Sequence, residues 1–450
     1  MDVAGRVLDP EPNRRALFQW PVRVLGPAPG LKELNLVAWG LFVGFLVAPL
    51  IFTLWLNHKA GSVLKSFQPV DFTYFYGVGR VVNEFSFVRL YDYALQVKIF
   101  NEIYPLSGGH AYGPSPYPPF VALFFSPFAR LPFMPAYLIW VSISLALYLA
   151  GIAASVKGLF PKEELKTSLI FCYALGFYPF CPSTIVNGQL SVVAIFSLGL
   201  AVYQERVARP FACGLALSIL AYKPTLLLLI VPMLLITRRF REFLGFLTGS
   251  GLLILATTVC TGMDIWPTYL RFLRYFRQVS VFEGQSRLQL NKYVDFTSFS
   301  YAVPGGRSKA GLTILIAVSS AIVMALAVLL WKSANAGKAA QPLAWAVTLT
   351  WTLLVNLYVP IYDSTLVIIA LILTIAALRD LKWRREVEWT IFLAVLIFAV
   401  SWNTVAIAKS FEIQLITVLL VILAVGQSYW LYRVIRRAIR REEQALPAEQ

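Results

Sequence analysis

The sequence is short of the residues on which most metal and nucleotide chemistry depends. Its 450 residues include two histidines and four cysteines. It contains no paired histidines, no HExxH or DxD motif and no glycine-rich phosphate loop, so metal-assisted hydrolysis and nucleotide binding have no sequence basis. We therefore expect neither a metal ion nor another cofactor. The cysteines lie inside or beside apolar segments, and their spacing predicts no disulfide framework and no CxxC metal site.

Charged residues are scarce as well. They make up 14% of the chain, whereas an average soluble domain has roughly 25%. Hydrophobic residues reach 58%, and the mean hydropathy is +0.69. This composition predicts an all-α multispan membrane protein, with room for about a dozen transmembrane helices of around 20 residues and two sizeable loops.

Acidic residues are fewer than basic ones. The chain has 39 Lys and Arg against 23 Asp and Glu, a formal net charge of +16. Many of the basic residues cluster beside apolar runs, at 238–241, 379–385 and 433–441. Such clusters mark the cytoplasmic ends of transmembrane helices, so the excess charge predicts topology and no nucleic-acid partner.

The order of tail and apolar runs predicts three regions. They are a cytoplasmic tail without a cleavable signal peptide at 1–33, a transmembrane domain at 34–434 and a basic cytoplasmic tail at 435–450. A first span at 34–56 places two large loops outside, at about 57–117 and 261–308, each expected to carry interfacial helices.

The later apolar runs define the remaining predicted spans. They lie at about 119–133, 135–156, 168–181, 189–204, 210–222, 224–237, 242–260, 309–331, 342–359, 362–378, 389–408 and 412–434. With the first span they number thirteen, whereas two cytoplasmic termini require an even number. We therefore expect one of the short runs between 168 and 237 to be re-entrant or fused to its neighbour. Because broken backbone at membrane depth is tolerated where it lines a cavity, this region is expected to line the site.

The first outer loop is rich in aromatic residues and shows two helical patterns, from Phe72 to about Phe85 and from Asp92 to about Tyr104. In the second pattern, apolar residues repeat every four positions, which predicts a helix lying on a surface. The apolar positions are Leu95, Ile99 and Ile103, and the opposite polar positions are Gln96, Lys98 and Glu102.

Asp71 is the first acid after the first predicted span. One interpretation is an N-cap, because Asp commonly accepts hydrogen bonds from the free amides of a helix start. The other is a functional carboxylate held among aromatic side chains. Burial there would raise its pKa, and a nearby cation such as Arg80 or Lys223 would lower it.

Lys223 lies in the apolar stretch ALSILAYKPTLLLL. A charge at membrane depth costs at least ~2.5 kcal/mol, so such a residue needs a partner. It either extends to the membrane surface at the end of a span or faces an anionic headgroup or phosphate, with Pro224 opening a helix beside it.

The second outer loop carries three arginines spaced by three residues, Arg271, Arg274 and Arg277. The spacing predicts an amphipathic helix over 266–278. The arginine row is either a solvated helix edge or a set of guanidinium groups that bind lipid phosphates.

Two polar segments interrupt apolar runs elsewhere. Asn187 and Gln189 flank Gly188, where they form either an ordinary turn or a source of polar amides. Tyr362 and Asp363 stand between two late spans, where Asp363 either caps the next helix or faces a pocket.

Six motifs in this order resemble glycosyltransferase family 87, the polyprenyl-phosphate-mannose-dependent mannosyltransferases. They are VDFTYFY, LYD, YPPFVALFFSPFARLP, NGQLSVVA, AYKPTLLLLIVPMLLITRR and a late YDS. The resemblance extends over about residues 34 to 380. It implies a multispan enzyme of the GT-C fold class. The sequence lacks the histidine that many relatives place shortly before the late YD.

The resemblance also implies site roles. Asp71 would be the general base, Lys223 would contact the donor phosphate, and Tyr362 and Asp363 would have a role in the pocket. By their spacing, and not by the resemblance, Arg271 and Arg274 are further candidates for the phosphate contact. The expected substrate pocket consists of Tyr74, Tyr76, Arg80, Tyr117, Asn187, Gln189, Tyr362 and Asp363. Tyr74 and Tyr76 are placed to stack on a sugar ring beside Asp71.

The expected reaction is an inverting transfer of a sugar, mannose in this family, from a polyprenyl-phosphate donor to a glycolipid or lipid-linked cell-envelope glycan. It would occur at the outer face of a bacterial plasma membrane, with membrane lipids as the surrounding partners. The alternative is a flippase or transporter of polyprenyl-linked sugars. Transporters more often show inverted repeats and small loops, whereas this chain has two large loops.

Overall fold

The structure is a computed structural model that describes residues 70–105, 112–160, 164–282, 289–302, 305–306 and 308–445. The predicted N-terminal tail and the first predicted span lie outside these residues. So does the side chain of Arg277.

The described chain is helical, as the composition predicts, and no strand occurs in the described ranges. Its α-helices are, in chain order, α1 (Val70–Phe85), α2 (Tyr93–Ile103), α3 (Pro119–Phe125), α4 (Phe133–Leu159), α5 (Glu164–Gly176), α6 (Ser191–Arg206), α7 (Pro210–Ser218), α8 (Ile230–Ile236), α9 (Phe240–Thr261), α10 (Ile265–Phe282), α11 (Phe296–Ala302), α12 (Lys309–Ser333), α13 (Gln341–Val355), α14 (Val367–Asp380), α15 (Arg384–Ser401), α16 (Thr404–Phe411) and α17 (Leu415–Ala445).

Several helices are long and apolar enough to cross a membrane, which confirms the membrane assignment. Among the described residues there are five, and six if α15 and α16, bent by 69° at the break between them, form one span. They are α4, α9, α12, the segment Ile361–Asp380 and most of α17, Leu415–Arg441. The total of about twelve spans stays a prediction.

Two predicted spans are wrong as continuous helices. The run 119–133 ends as α3 at Phe125, a 3-10 turn follows at Phe128–Arg130, and α4 begins at Phe133. Pro127 and Pro132 account for the interruption, because proline lacks the N–H that a continuing helix needs and restricts the residue before it. The run 389–408 breaks between α15 and α16.

The region between 168 and 237 is broken, as the sequence indicates. A π-helical turn, Cys181–Val186, separates α5 from α6, and two 3-10 turns, Ile219–Tyr222 and Pro224–Leu227, separate α7 from α8. The backbone at Lys223, between the two 3-10 turns, is not helical. At the other end of the chain, α17 continues to Ala445, so the basic segment predicted as a tail begins within a helix.

The helix α2 of the first loop region follows the predicted pattern in part. On α2, Leu95 and Ile99 are buried as predicted. Gln96, which we predicted on the polar face, is fully buried instead. It donates to the Leu90 carbonyl at 2.6 Å and accepts the Ser115 amide at 3.0 Å, so its polar atoms are satisfied within the fold.

The predicted amphipathic helix of the second loop exists and is longer than predicted, as α10. Its buried residues Tyr269 and Phe272 lie 5.3 and 4.8 Å from the ring of Tyr91, centroid to centroid. The two loop regions therefore share one aromatic core, which stabilises the segment that carries Asp71.

The helix α6 connects two chemically different ends of the helix bundle. At its start, Ser191 hydrogen-bonds to Asp363. Near its end, Glu205 pairs with Arg239 and accepts the side-chain amide of Gln341. Fourteen residues of α-helix span roughly 21 Å, so the Arg239 cluster lies at the far end of the bundle from Asp363.

Candidate active site

Asp71 lies in the first turn of α1, which begins at Val70. The N-cap interpretation is therefore wrong, since a cap residue precedes the helix. The next residue anchors the helix start: Phe72 is fully buried, and its amide donates to the Asn187 carbonyl at 2.8 Å. This bond satisfies one of the free amides of the helix start and joins α1 to the turn at 187–189.

The turn at 187–189 packs closely on α1. Gly188 has φ +72, and a Cβ built there would lie 2.8 Å from the Cβ of Phe72, so glycine is required on both grounds. The Gly188 carbonyl accepts the indole N–H of Trp140 at 2.8 Å, and the Val186 carbonyl accepts the Tyr137 hydroxyl at 2.8 Å. These bonds fix the position of the next residue, Gln189.

Gln189 brings a polar side chain to the Asp71 carboxylate. It is buried, and its side-chain oxygen accepts the Leu190 amide at 3.3 Å. Its NH2 group is then free to donate to the carboxylate of Asp71, with which Gln189 is hydrogen-bonded. Of the two interpretations of the turn at 187–189, the structure favours the source of polar amides, because the turn supplies a hydrogen-bond donor to the predicted base.

The pKa of the half-buried Asp71 is raised to about 6. Burial is the main cause, because a carboxylate loses hydration there. The Gln189 hydrogen bond and the positive charges of Lys292 and Lys223 oppose the increase, and the Asp363 charge adds to it. A carboxyl group with such a pKa is ionised at neutral pH and remains basic enough to accept a proton.

Lys223 and Asp363 form an ion pair beside Asp71. The ammonium of Lys223 bonds Oδ2 of Asp363, and the Ser191 hydroxyl donates to Oδ1 at 2.9 Å. Asp363 is 1% exposed and Lys223 18% exposed. Lys223 is therefore paired inside the protein and does not extend to the membrane surface, and the Asp363 side chain caps no helix.

Pro224 opens a helical segment directly after Lys223, as we predicted, but the first turn of this segment is 3-10 and not α-helical. A 3-10 turn, Pro224–Leu227, follows the lysine, and α8 begins at Ile230. The Lys223 ammonium lies over the Tyr362 ring, 5.2 Å from its centroid. A cation over an aromatic face is stabilised electrostatically.

Tyrosines surround the acidic and basic groups. Tyr117 is hydrogen-bonded to Tyr362, and burial raises its pKa. Its ring lies 5.0 Å from Phe75, which belongs to the same helix as Asp71. Tyr74 lies near Asp71, and its hydroxyl accepts the Gly113 amide at 3.2 Å. Asp71, Lys223, Asp363, Tyr117 and Tyr362 thus come from distant parts of the chain to one place.

Two other predicted pocket residues point elsewhere. Tyr76 donates to the Leu131 carbonyl at 2.7 Å and packs on Phe72 within the core. Arg80 pairs with Glu84 at 2.7 Å and with Glu102 at 3.6 Å. Nine residues of α-helix separate Arg80 from Asp71, roughly 13 Å along the axis.

The arginines of α10 are exposed. Arg271 donates to the Thr268 hydroxyl of its own helix at 3.2 Å, and Arg274 is on the same exposed side. Neither has an ion pair with an acid of the described chain. Their contact with a donor phosphate stays a prediction.

Sequence reasoning missed a segment that borders the site, the strap, which we define as residues 290–295. It is held beside the late loop, residues 356–360, which follows α13. There the Val294 amide donates to the Val359 carbonyl at 2.9 Å, and the Val359 amide donates to Asp295 Oδ2 at 2.7 Å. Asp295 is fully buried, and burial raises its pKa. No periodicity marks this segment, so only the fold reveals it.

Ser191 was also missed, although it follows the polar turn at 187–189 directly and is therefore visible in retrospect. Among the described residues, no group of three or more His, Cys, Asp or Glu side chains is arranged to hold a metal ion. The expectation of a metal-free site stays a prediction.

Comparison with known proteins identifies the family. The family model of glycosyltransferase family 87 matches residues 116–360, a little over half of the chain. The match includes Lys223 and the turn at 187–189, whereas Asp71 precedes it and Asp363 follows it. No curated protein and no solved structure shows significant similarity to the chain. The chain belongs to glycosyltransferase family 87 and is a glycosyltransferase with several apolar helices of membrane-spanning length.

Proposed function

We propose that the protein is an inverting glycosyltransferase that uses a polyprenyl-phosphate sugar as its donor and Asp71 as its general base. The observation that carries the proposal is the placement of one carboxylate with a raised pKa beside the Lys223 and Asp363 ion pair. A base and a cation are the two groups that this reaction requires of the protein.

The proposed reaction moves one proton and one electron pair. The acceptor hydroxyl gives its proton to the Asp71 carboxylate while its oxygen forms a bond to the anomeric carbon of the sugar. The bond from that carbon to the phosphate oxygen breaks, and its electron pair leaves with the polyprenyl phosphate. Because attack and departure occur on opposite faces of the sugar, the configuration at the anomeric carbon inverts.

The donor class follows from the chemistry and from the family. A sugar on a lipid phosphate carries its own leaving group, so one base and one or two cations suffice. We propose mannose as the sugar, a glycolipid or lipid-linked envelope glycan as the acceptor, and the GT-C class as the fold. Membrane helices next to the site favour a lipid-linked donor, since its polyprenyl chain would lie in the bilayer beside it.

We also propose that the site faces the outside of a bacterial plasma membrane. The Arg239 cluster lies at the far end of α6 from Ser191 and Asp363. A second basic group, Arg433 and Arg437, packs over Trp383 beyond the end of α14. Basic helix ends are cytoplasmic by the positive-inside rule, which favours an outward-facing site.

The substitution Asp71→Asn tests the proposal. Asn keeps the shape of the side chain but cannot accept the proton, and general-base catalysis contributes ~10²–10⁴-fold in rate. We expect purified Asp71→Asn to bind polyprenyl-phosphate mannose normally and to release polyprenyl phosphate more slowly by about that factor. The assay measures this release in the presence of a membrane glycolipid extract.

Asp92→Asn is the matched control. Asp92 caps α2 by accepting the Leu95 amide at 3.1 Å and pairs with Arg89, so its carboxylate is engaged in local contacts. Asn caps a helix about as well as Asp, so this variant should retain full activity. Near-normal turnover by Asp71→Asn would refute the assignment of the base. A wild-type protein that moves lipid-linked sugars across vesicles without releasing polyprenyl phosphate would indicate the transporter instead.

A further inference from the structure

Lys292 is a cation that the proposed mechanism leaves without a role. It lies in the 3-10 turn Leu290–Lys292 at the start of the strap. The residue that follows, Tyr293, forms an antiparallel bridge with Pro360, two residues before Tyr362. The backbone of the strap therefore carries Lys292 to the border of the site.

Side-chain hydrogen bonds from the start of α17 fix this position. Gln414 donates to the Asn291 carbonyl at 2.9 Å, and the Thr417 hydroxyl donates to the Val294 carbonyl at 2.8 Å. With the two bonds between the strap and Val359, these contacts hold both flanks of Lys292. Its backbone is thus positioned by the fold, while its side chain is exposed.

The two lysines near Asp71 differ in whether an acidic side chain of the protein already neutralises their charge. The charge of Lys223 is already balanced by Asp363. Within the described ranges, no salt bridge joins Lys292 to an acid. Even so, Lys292 lies near enough to Asp71 to oppose the effect of burial on its pKa, as Lys223 does.

We propose that Lys292 is the second cation of the site and binds the phosphate of the lipid-linked donor, most strongly once the phosphate has left the sugar. This inference rests on the proposed function, because it takes the ligand to be a polyprenyl phosphate.

The movement of charge in the reaction supports this role. Before the reaction, Asp71 carries one negative charge and the phosphodiester of the donor carries one. Afterwards Asp71 is neutral, since it holds the proton of the acceptor, and the departing phosphate monoester carries the additional negative charge. Lys292 lies near Asp71 before the reaction, and its positive charge favours the phosphate that gains this negative charge.

Several titratable groups face Asp71 besides Lys292, and any pH measurement must take them into account. They are Lys223, Asp363, Tyr74, Tyr112, Tyr117, Tyr293 and Tyr362. Asp295, which follows in the strap, is committed to hydrogen bonds from Ser298 and Val359. Among the described residues, Lys292 and Lys223 are the cations that lower the pKa of Asp71, so the removal of Lys292 has a predictable sign.

The test combines ligand binding with the pH profile of the intact enzyme. A hydrogen bond to a charged group contributes ~1.5–3 kcal/mol. We therefore expect Lys292→Met to weaken the binding of polyprenyl phosphate, measured by native mass spectrometry, by roughly 10- to 100-fold. The variant should also shift the acidic limb of kcat/KM to higher pH, because Asp71 loses a nearby positive charge. Lys292→Arg should restore most of the binding.

Lys309→Met is the matched control, since Lys309 is an exposed lysine at the start of α12. It should leave binding and the pH profile unchanged. Unchanged polyprenyl-phosphate binding and an unshifted acidic limb in Lys292→Met would overturn the role of Lys292, while loss of turnover in Asp71→Asn would still uphold the proposed function. A wild-type protein that binds no polyprenyl phosphate would overturn both.

Discussion

The proposed role of Asp71 as a base rests on two opposing effects that act on its carboxyl group. Burial raises its pKa, whereas Gln189, Lys292 and Lys223 lower it, and the resulting pKa is about 6. Had burial acted alone, the carboxyl would hold its proton at a still higher pH. A group with a pKa just below neutral is both ionised and basic.

The raised pKa of Asp71 predicts a pH dependence of activity. The base must be ionised to work, so kcat/KM should fall as the pH decreases through about 6, by about tenfold per pH unit below it. If the aspartate had an unperturbed pKa near 3.8, kcat/KM would stay unchanged until the pH falls to about 4. A rate profile of the wild-type enzyme between pH 4 and 8 distinguishes these cases.

The same shift predicts the effect of pH on stability. The folded protein retains the Asp71 proton up to about pH 6, whereas the unfolded chain releases it near pH 4. This residue's contribution to stability is therefore complete below pH 4 and declines as the pH rises to 6. Asp71→Asn removes that decline, so at pH 7 the variant should be at least as stable as the wild type in thermal unfolding.

The ion pair of Lys223 and Asp363 predicts strong coupling between two substitutions. Removal of one partner leaves the other charge buried without compensation, which costs roughly 3–5 kcal/mol. Lys223→Met and Asp363→Asn should each lower the melting temperature in detergent markedly. The double variant should be destabilised by clearly less than the sum of the two, since no unpaired charge remains.

Additive losses in that cycle would show that the two side chains do not interact in the folded protein. A control cycle pairs Lys223→Met with Arg384→Ala. Arg384 is an exposed residue at the start of α15, and the two should act independently.

At the scale of elements, broken helices supply the site. Gln189 and Ser191 come from the turn and helix start after the π-helical segment, and Lys223 comes from the junction of two 3-10 turns. The sequence predicts these interruptions through Pro179, Pro182 and Pro224, because proline cannot continue a helix. It does not predict which polar groups the interruptions bring together.

The strap predicts a long-range effect of Asp295. This buried carboxylate accepts the amides of Ser298 at 2.9 Å and Val359 at 2.7 Å. Asp295→Ala leaves a buried amide unpaired, at a cost of about 1–3 kcal/mol, and releases the strap from the late loop. We expect faster hydrogen exchange at the amides of Val294 and Val359 and a reduced kcat.

Asp295→Asn serves as the comparison, since its side-chain oxygen can still accept one of these amides. It should lie between the wild type and Asp295→Ala in both measurements. Unchanged exchange at Val359 in the alanine variant would contradict the role of the carboxylate in holding the strap.

For the whole molecule, the distribution of charge predicts the orientation in the membrane. Arg271 lies on α10, which shares its aromatic core with the helix of Asp71, and Arg440 lies near the end of α17. Both are exposed. If the site faces outward, these two positions lie on opposite sides of the membrane.

Cysteine labelling tests this orientation. Cys260 is exposed and the other three cysteines are buried, so Cys260→Ser provides a background with little reactivity. In intact cells, a membrane-impermeant maleimide should label Arg271→Cys, whereas Arg440→Cys should react only after permeabilisation. The reverse pattern would place the site at the cytoplasmic face.

Much of this protein could be predicted from local sequence, because composition, apolar run length and proline position act within short stretches of chain. These features determined an all-helical membrane protein, the position of α10 and the interrupted region around Lys223. The motif order indicated the family and singled out Asp71 and Lys223 as candidates for the base and the cation of the site.

Only the tertiary structure decided which groups meet. Lys223 and Asp363 are 140 residues apart in sequence, and Ser191 and Asp363 are 172 apart. No local pattern encodes such pairs, because they result from the packing of distant helices. The same reason explains why Gln96 is buried, why Arg80 points away from Asp71 and why Lys292 borders the site: each depends on what the rest of the fold places beside it.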